Sequence, residues 1–360
     1  MDSRIRVGFA GTGWMGEQLL NKIPGKTNAE IVAVYDTDLN IAVEVLKRSG
    51  VGRDCLVSDY QEIVSNKDID AVIIASPNTF HAEQALEAMA AGKHVFCEKP
   101  NSTSPEDHKK IVQFDHDNQD LVTMTNYTLF FNPIEQKVKS MIKQGLFGEI
   151  TQMQINYRHA VNICDSKFWK TRKDYVGDAV GMGITHAVFS LCFFFSPAKA
   201  ESVFATSHSS ADSRFEVDPI WNIMITFDSG ATGIVLGDIE GGNSYDLYHN
   251  IFGTKGGFVF DSQGKGEAAV KYWNEDTNRQ WVYPLSKEEK KHSWPESISL
   301  PNSGDVITHS TEESISYFLD HIERKEKPFL SFSNMRIVQD INFAAQLSAE
   351  LKQPVTLPAG

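Results

Sequence analysis

Cysteine, long apolar runs and basic charge are all in short supply in this sequence. Its 360 residues hold four cysteines, Cys55, Cys97, Cys164 and Cys192, with no C-x-x-C spacing and no grouping with histidine in a metal-ligand pattern. A disulfide framework and a zinc module are thereby excluded. Free thiols in a large core, in a reducing compartment, are expected. The most apolar stretch, Ala187–Phe195, is too short to span a bilayer. The first residues run straight into a strand at Ile5, without the apolar centre of a signal peptide. The expectation is a soluble, cytoplasmic protein with no membrane partner. Lys and Arg number 34 against 47 Asp and Glu, a formal charge of -13. Nucleic acid needs a basic footprint and is excluded as a partner, whereas a small anion needs only a few local basic groups. Repeats and low-complexity linkers are absent as well, so the length reads as two globular domains.

What is present is patterned. Residues 1–125 alternate short apolar runs with amphipathic segments. Strands are expected at Ile5–Ala10, Glu30–Asp36, Ala71–Ala75, His94–Cys97 and Leu121–Asn126, and helices at Trp14–Ile23 and Leu39–Lys47. A further helix carries Ala82, Ala85, Leu86 and Met89 at a 3.6-residue period and stops at Gly92. Another opens at Ser104-Pro105-Glu106-Asp107, with an N-cap, a first-turn proline and an acidic first turn. Strand–helix alternation implies βαβ units and a doubly wound parallel sheet, a Rossmann domain. From residue 126 the pattern changes. A helix at Ile134–Lys143 and a turn at Gly145 and Gly148 lead into strands at Ile150–Ala160, Ile220–Phe227, Ala231–Asp238, Tyr248–Phe252 and Phe258–Asp261. Asp228-Ser229-Gly230 is a hairpin turn, and two helices, Glu312–Ile322 and Asn334–Leu351, close the chain. Residues 126–360 are thus expected to form a substrate-binding and oligomerisation domain of α/β class with a large, mostly antiparallel sheet, the final helices either staying with it or packing back on the first domain. The strand Trp221–Phe227 carries apolar residues on both alternating sets. An exposed face of that kind points to a homodimer or homotetramer built through the sheet.

Gly11-Thr12-Gly13-Trp14-Met15-Gly16 is a G-x-G-x-x-G loop between the first strand and the first helix. The first glycine permits the tight turn, the second lets backbone approach a pyrophosphate, and the third lets helix and strand pack closely. A helix N-terminus at that point favours phosphate. Asp36 ends the second strand. A carboxylate there accepts hydrogen bonds from a ribose diol and repels a 2′-phosphate, so NAD is expected over NADP. A second group follows the third and fourth expected long strands. Ser76-Pro77-Asn78-Thr79 and Glu98-Lys99-Pro100 fall at the carboxyl edge of the sheet, where open α/β folds bind ligands. A lysine held there beside a proline could reach the nicotinamide and a substrate hydroxyl; from the residues alone, a solvent-facing loop lysine is the more ordinary reading.

Residues Ser76–Pro100, with His81, Ala91-Gly92-Lys93-His94-Val95 and Glu98-Lys99-Pro100, resemble the glucose–fructose oxidoreductase / inositol dehydrogenase (Gfo/Idh/MocA) family. The likeness continues through Gly145-Leu146-Phe147-Gly148-Glu149-Ile150, Gly253-Thr254-Lys255-Gly256-Gly257 and the end of the chain, Ala344-Ala345 through Ser348 to Val355-Thr356-Leu357-Pro358. The resemblance implies an NAD-dependent oxidoreductase acting on a hydroxyl or carbonyl of a sugar, cyclitol or sugar derivative. It adds Ser76, Pro77, Asn78, His81, Glu98 and Lys99 to the cofactor contacts. It places the catalytic pair on Lys99 and on His186, in Gly183-Ile184-Thr185-His186, with no metal.

The sequence also departs from the family. The carboxylate often found four residues before the histidine is Met182 here, and the glycine cluster reads Val176-Gly177-Asp178-Ala179. Asp178 is a candidate for the missing carboxylate at a different spacing. Leu129 and Phe130 stand where relatives carry arginine, which makes that part of the pocket more apolar. Phe168-Trp169-Lys170 replaces a Trp-Arg pair, not a conservative change at a bidentate site. Arg158, Lys170 and Arg172 suit a substrate carboxylate or phosphate, and a solvated basic face explains them equally well. Tyr127 and Trp169 join Arg158, Lys170 and Asp178 as candidate substrate contacts. Two other readings stay open from the sequence. One is an enzyme that retains NAD and uses transient oxidation for elimination, hydration or glycoside cleavage. The other is a non-enzymatic NAD-binding sensor, which needs neither Lys99 nor His186.

Overall fold

A computed structural model describes residues 4–24, 28–159, 168–241, 246–261, 269–283 and 310–357. Cys164, the end of the expected strand at Ala160, and Pro358 lie outside the described residues. The chain divides into two compact units. The first comprises Met1–Tyr127, Asp174–Gly177 and Ser310–Arg336, and the second comprises Thr128–Lys173, Asp178–His309 and Ile337–Gly360.

In the first unit, short runs of β-branched and small apolar residues become buried parallel strands. They are β1 (Ile5–Ala10), β2 (Ala29–Tyr35), β3 (Leu56–Val57), β4 (Ala71–Ile74), β5 (His94–Cys97) and β6 (Thr123–Thr125). The sheet order is β3-β2-β1-β4-β5-β6, with every pair parallel. The strand order turns back between β1 and β4, and such switch points open ligand crevices at the carboxyl edge. The connecting helices are α1 (Trp14–Leu20), α2 (Leu39–Ser49), α3 (Tyr60–Ser65), α4 (His81–Ala90) and α5 (Pro105–Asp117). Local chemistry sets their ends. Asp38 accepts from Ile41 N to open α2, and Ser104 with Pro105 opens α5 as its sequence suggests. Gly92 (φ +77°) ends the turn after α4. The core runs through Val72, Ile74, Ala85, Met89, Val95, Cys97 and Ile111.

The second unit begins with α6 (Pro133–Lys143) and β7 (Ile150–Arg158); the single turn α7 (Lys173–Val176) that follows belongs, from Asp174 on, to the first unit. A wide π-turn, Val180–Ile184, then runs directly into α8 (Thr185–Phe195). The strands β8 (Ala200–His208), β9 (Ile220–Phe227), β10 (Thr232–Asp238), β11 (Asp246–Gly253), β12 (Gly257–Asp261) and β13 (Ala269–Trp273) follow, and the unit closes with α10 (Arg336–Leu351) and β14 (Val355–Thr356). The sheet order is β13-β12-β11-β7-β10-β9-β8-β14. All pairs are antiparallel except β7 with β10. That parallel pair arises because α8, β8 and β9 intervene in sequence, a connection long enough to cross over. Met153, Ile155 and Tyr157 of β7 and Ile223, Ile225 and Phe227 of β9 point inward. The helix α8 is apolar on all sides and buried almost throughout, as a core helix must be. A Cβ at Gly237 of β10 would meet Ile184 at 2.6 Å, so the glycine makes room for the π-turn.

The first unit is completed late in the sequence by α9 (Thr311–Arg324) and the segment after it. Thr125 N donates to Leu330 O beside β6, Phe318 meets Phe96 edge-on at 5.6 Å, and Phe332 joins the core. The fully buried Asp115 accepts from Thr123 Oγ1 (2.6 Å) and Ser333 N (2.9 Å) and pairs with Lys327 Nζ (2.8 Å).

Candidate active site

The glycine loop adopts the geometry its three glycines require. Gly11 has φ +94°, and a Cβ there would meet Ala75 and Ser76 backbone at 2.6 Å, so a side chain is excluded on both counts. A Cβ at Gly16 would meet Gly11 O at 2.1 Å and Ala75 Cβ at 3.5 Å; α1 packs here against the turn after β1 and the residue that follows β4. Around Gly13, by contrast, no atom lies within 4 Å of the Cβ position. That open face, beside a helix start that no side chain caps, fits a pyrophosphate. Trp14 and Met15 begin α1.

Asp36 does more than its sequence position suggests. It is 8% exposed. Its Oδ2 accepts from Thr12 N (2.6 Å) and Thr12 Oγ1 (2.7 Å), and Oδ1 accepts from Asp38 N (2.8 Å). A carboxylate offers about four acceptor positions, so the side chain clamps the glycine loop and keeps capacity for a ribose hydroxyl.

The two other loops stand at the same sheet edge, after β4 and β5. Ser76 Oγ donates to Gln84 Oε1 (2.7 Å), Asn78 Nδ2 to Val176 O (3.1 Å) and Thr79 Oγ1 to Asp174 O (3.0 Å). His81, 1% exposed, lies between Ser76 O and Pro100 O. The Lys99-Pro100 peptide is cis. Glu98, 7% exposed, accepts from Asn126 Nδ2 at 2.6 Å. Burial raises its carboxyl above the ordinary range, opposed by the Lys99 charge and the Asn126 bond. The structure therefore gathers Gly11–Gly16, Asp36, Ser76–Asn78, His81 and Glu98–Lys99 on one edge of the first unit. Asn126 and Gln84, which sequence reasoning passed over, hold two of these loops in place. The only signal for Asn126 was its place at the end of the last strand. Tyr127, also of this unit, is enclosed at 1% exposure.

In the second unit, His186 lies in the first turn of α8, 7% exposed. Its ring stacks on Tyr157 of β7 at 5.7 Å and 27°. Tyr157 was not anticipated, and its inward alternation on β7 was the available signal. Met182 sits inside the π-turn at 7% exposure. Asp178 opens that turn: its Oδ1 accepts from Gly181 N at 2.6 Å, and it is 6% exposed. Burial pushes its carboxyl up to about 6, against bonds from Gly181, Gln346 and Val180. Turns of the i→i+5 kind are rare and concentrate at functional sites. Leu129 is fully buried, and Phe130 meets Phe131 and Phe193 edge-on, so this segment is apolar. Lys170 lies 6.0 Å over the Trp169 ring. Arg158 is exposed at the end of β7. Among the described residues no group of three or more His, Cys, Asp or Glu side chains is placed to hold a metal ion, and no helix is long and apolar enough to cross a membrane.

Comparison with known proteins identifies the family of both domains. Residues 5–126 match the oxidoreductase family model with an NAD-binding Rossmann fold, and residues 136–259 match the GFO/IDH/MocA C-terminal domain. Myo-inositol 2-dehydrogenase of Thermotoga maritima is 22% identical over 98% of both chains. Levoglucosan dehydrogenase of Pseudarthrobacter phenanthrenivorans is 26% identical over 77% of this chain and 78% of its own. A solved levoglucosan dehydrogenase in complex with NADH superposes with a TM-score of 0.82 at 25% identity, covering 99% of this chain and all of the other. On its two matched domains and the nucleotide edge of its first unit, the chain belongs to the GFO/IDH/MocA oxidoreductase family, with an NAD-binding Rossmann domain.

Proposed function

We propose that the chain is an NAD-dependent dehydrogenase that oxidises a secondary hydroxyl of a sugar, cyclitol or related polyol, or reduces the matching carbonyl. The observation that carries this reading is the shared sheet edge of the glycine loop, Asp36 and the Glu98-Lys99-Pro100 loop, which sets a lysine beside a dinucleotide cradle. Relatives that act on myo-inositol and levoglucosan support the substrate class.

NAD, when bound, supplies the hydride acceptor; the organic step is the cofactor's own. The residues of the chain do the rest. The Gly11–Gly16 backbone holds the pyrophosphate and Asp36 reads the ribose. Lys99 Nζ donates to the substrate oxygen and steadies its developing negative charge. His186 takes the hydroxyl proton as general base and returns it in the reductive direction. Tyr157 holds the imidazole plane by stacking. Trp169, Lys170, Arg158, Tyr127 and Asp178 are the candidate substrate contacts. A cytoplasmic homodimer or homotetramer, assembled through the outward face of the eight-stranded sheet, belongs to the same reading. In its support, Met224 is 42% exposed on that face, opposite Phe204 and Ile234 in register.

The test is NADH formation across a panel of sugars, cyclitols, sugar acids and amino sugars, with Lys99→Ala and His186→Ala beside the natural chain. Each variant is expected to lose ~100- to 10,000-fold in turnover. NADH affinity should hold for His186→Ala and weaken modestly for Lys99→Ala. Near-full turnover by His186→Ala would refute the assignment.

A further inference from the structure

His81 poses a problem of valence. Its Nδ1 lies 2.7 Å from Pro100 O and its Nε2 lies 2.8 Å from Ser76 O. Both partners are carbonyl oxygens, which accept and never donate. A neutral imidazole carries one N–H and one lone pair. It satisfies one carbonyl and turns a lone pair on the other, at a distance that only a hydrogen bond permits. An imidazolium carries two N–H groups and satisfies both. The ring is 1% exposed, so water cannot supply the missing donor.

We propose that His81 is a buried imidazolium whose two N–H groups tie the Ser76 loop to the Lys99-Pro100 loop, making it a positioning residue for Lys99. The two carbonyls belong to the turns after β4 and β5, and one of them is adjacent to Lys99. The tie therefore couples the loop beside the glycine cradle to the loop that carries the lysine. The charged group that acts on the ring is Lys99 of the second loop. Burial, the largest influence, and the Lys99 charge bring the proton affinity of the ring below the ordinary histidine value, outweighing the carbonyls of Pro100, Ser76 and Glu98, which raise it; the imidazolium is inferred from the two carbonyl partners against that trend. His81 thus acts without touching the reacting atoms, and its effect on turnover rests on the role given to Lys99 above.

The test begins with the full natural chain, labelled with 15N-histidine and studied by NMR at pH 7.5 with and without NADH. The His81 ring is assigned by nuclear Overhauser contacts to Pro100, so no variant is needed for this step. Two ring N–H protons on His81 are expected. A single N–H, with the other nitrogen unprotonated, overturns the proposal whatever the enzyme's activity. The second step is His81→Gln, whose amide can donate to one carbonyl but presents oxygen to the other. Turnover of the best panel substrate is expected to fall at least ~10-fold, in the range of a misplaced catalytic group, with NADH affinity weakened by a smaller factor, no more than in Lys99→Ala. Unchanged turnover, or an equal loss of NADH affinity, overturns the positioning role. The protonation result stands apart from the dehydrogenase assignment: if the panel yields no turnover, that assignment fails while the two N–H signals still decide the state of His81.

Discussion

The carboxyl of Asp178 should make the second unit more stable in acid than in base, and Asp178→Asn should abolish the difference. The ordinary value of an aspartate is 3.8, and burial pushes Asp178 to about 6. In the folded chain the neutral form is therefore favoured, the reverse of the usual aspartate. Between pH 3.8 and 6 the folded state binds more protons than the unfolded one, so stability falls as pH rises through that window and then levels off. Two pH units and a little more, at 1.36 kcal/mol each, come to about 3 kcal/mol. Asparagine is nearly isosteric, carries no charge, and keeps an oxygen for Gly181 N, the bond that opens the π-turn. At pH 8 the variant should therefore be more stable than the natural chain by about 3 kcal/mol, a rise of roughly 6–12 °C in the transition of that unit. At pH 4 the gain should nearly vanish. Calorimetric melts at half-unit steps from pH 4 to 8 measure it. Parallel curves for the two proteins would refute the reasoning, because they would mean that Asp178 does not change charge in this range. Turnover of the same variant asks a separate question, whether Asp178 has assumed the role of the carboxylate that Met182 replaces. A large loss would say that it has.

Other expectations bear on the cofactor, the core and the assembly. NADH should bind the natural chain more tightly than NADPH. Asp36→Ala should weaken NADH more than NADPH, with some loss for both because Thr12 loses its anchor; fluorescence titration of each nucleotide reads this, and equal or tighter NADPH binding by the natural chain would count against Asp36. Lys139 donates from Nζ to Phe194 O and Ser196 O at the end of α8, and burial lowers its ammonium to about 8 from 10.5. A base depressed on folding gives stability that rises with pH between those values. Urea midpoints at pH 8 and 10 should show the natural chain gaining on Lys139→Met; no gain removes the argument. Light scattering at micromolar concentration should give a dimer or tetramer, and Met224→Arg should shift it toward monomer. A monomeric natural chain would sink the sheet-face assembly.

How far the sequence foretold the structure depended on how local each feature was. The glycine loop and Asp36 were legible because strand, turn, helix and acid fall in order within a few dozen residues. The same holds for the buried strands β4 and β5 and for the Ser104–Pro105 helix start. The strand β3 has two residues, too few to show any period, and the short α3 went unread although Asp59 and Glu62 form a capping box. The strand β8 was missed because Ala200–His208 places Val203 and Ala205 among serines, threonine and glutamate. No residue pattern announces a π-turn, so the distortion beneath His186 could not be foreseen. The partners of Asp36, Glu98 and His81 lie 24, 28 and 19 residues away, and pairing at that range follows from the fold. Lys99 and His186 became candidates through a family resemblance, since a loop lysine and a buried helix histidine are each unremarkable alone.

Asp115 gives the molecule a schedule. Its partners in the folded unit are Thr123 nearby and Lys327 and Ser333 some two hundred residues later. When the first 127 residues leave the ribosome, that carboxylate has one hydroxyl and no cation. At about 5–20 residues per second, Ser333 is synthesised roughly 10–40 s after Tyr127. Throughout that interval the nucleotide-binding sheet lacks Phe332 from its core and Leu330 from the flank of β6. Synthesis of the whole intervening domain must therefore precede completion of the nucleotide fold. A nascent chain stalled before residue 333 should be captured by NAD affinity resin poorly or not at all, so cofactor capture during translation marks the arrival of Ser333.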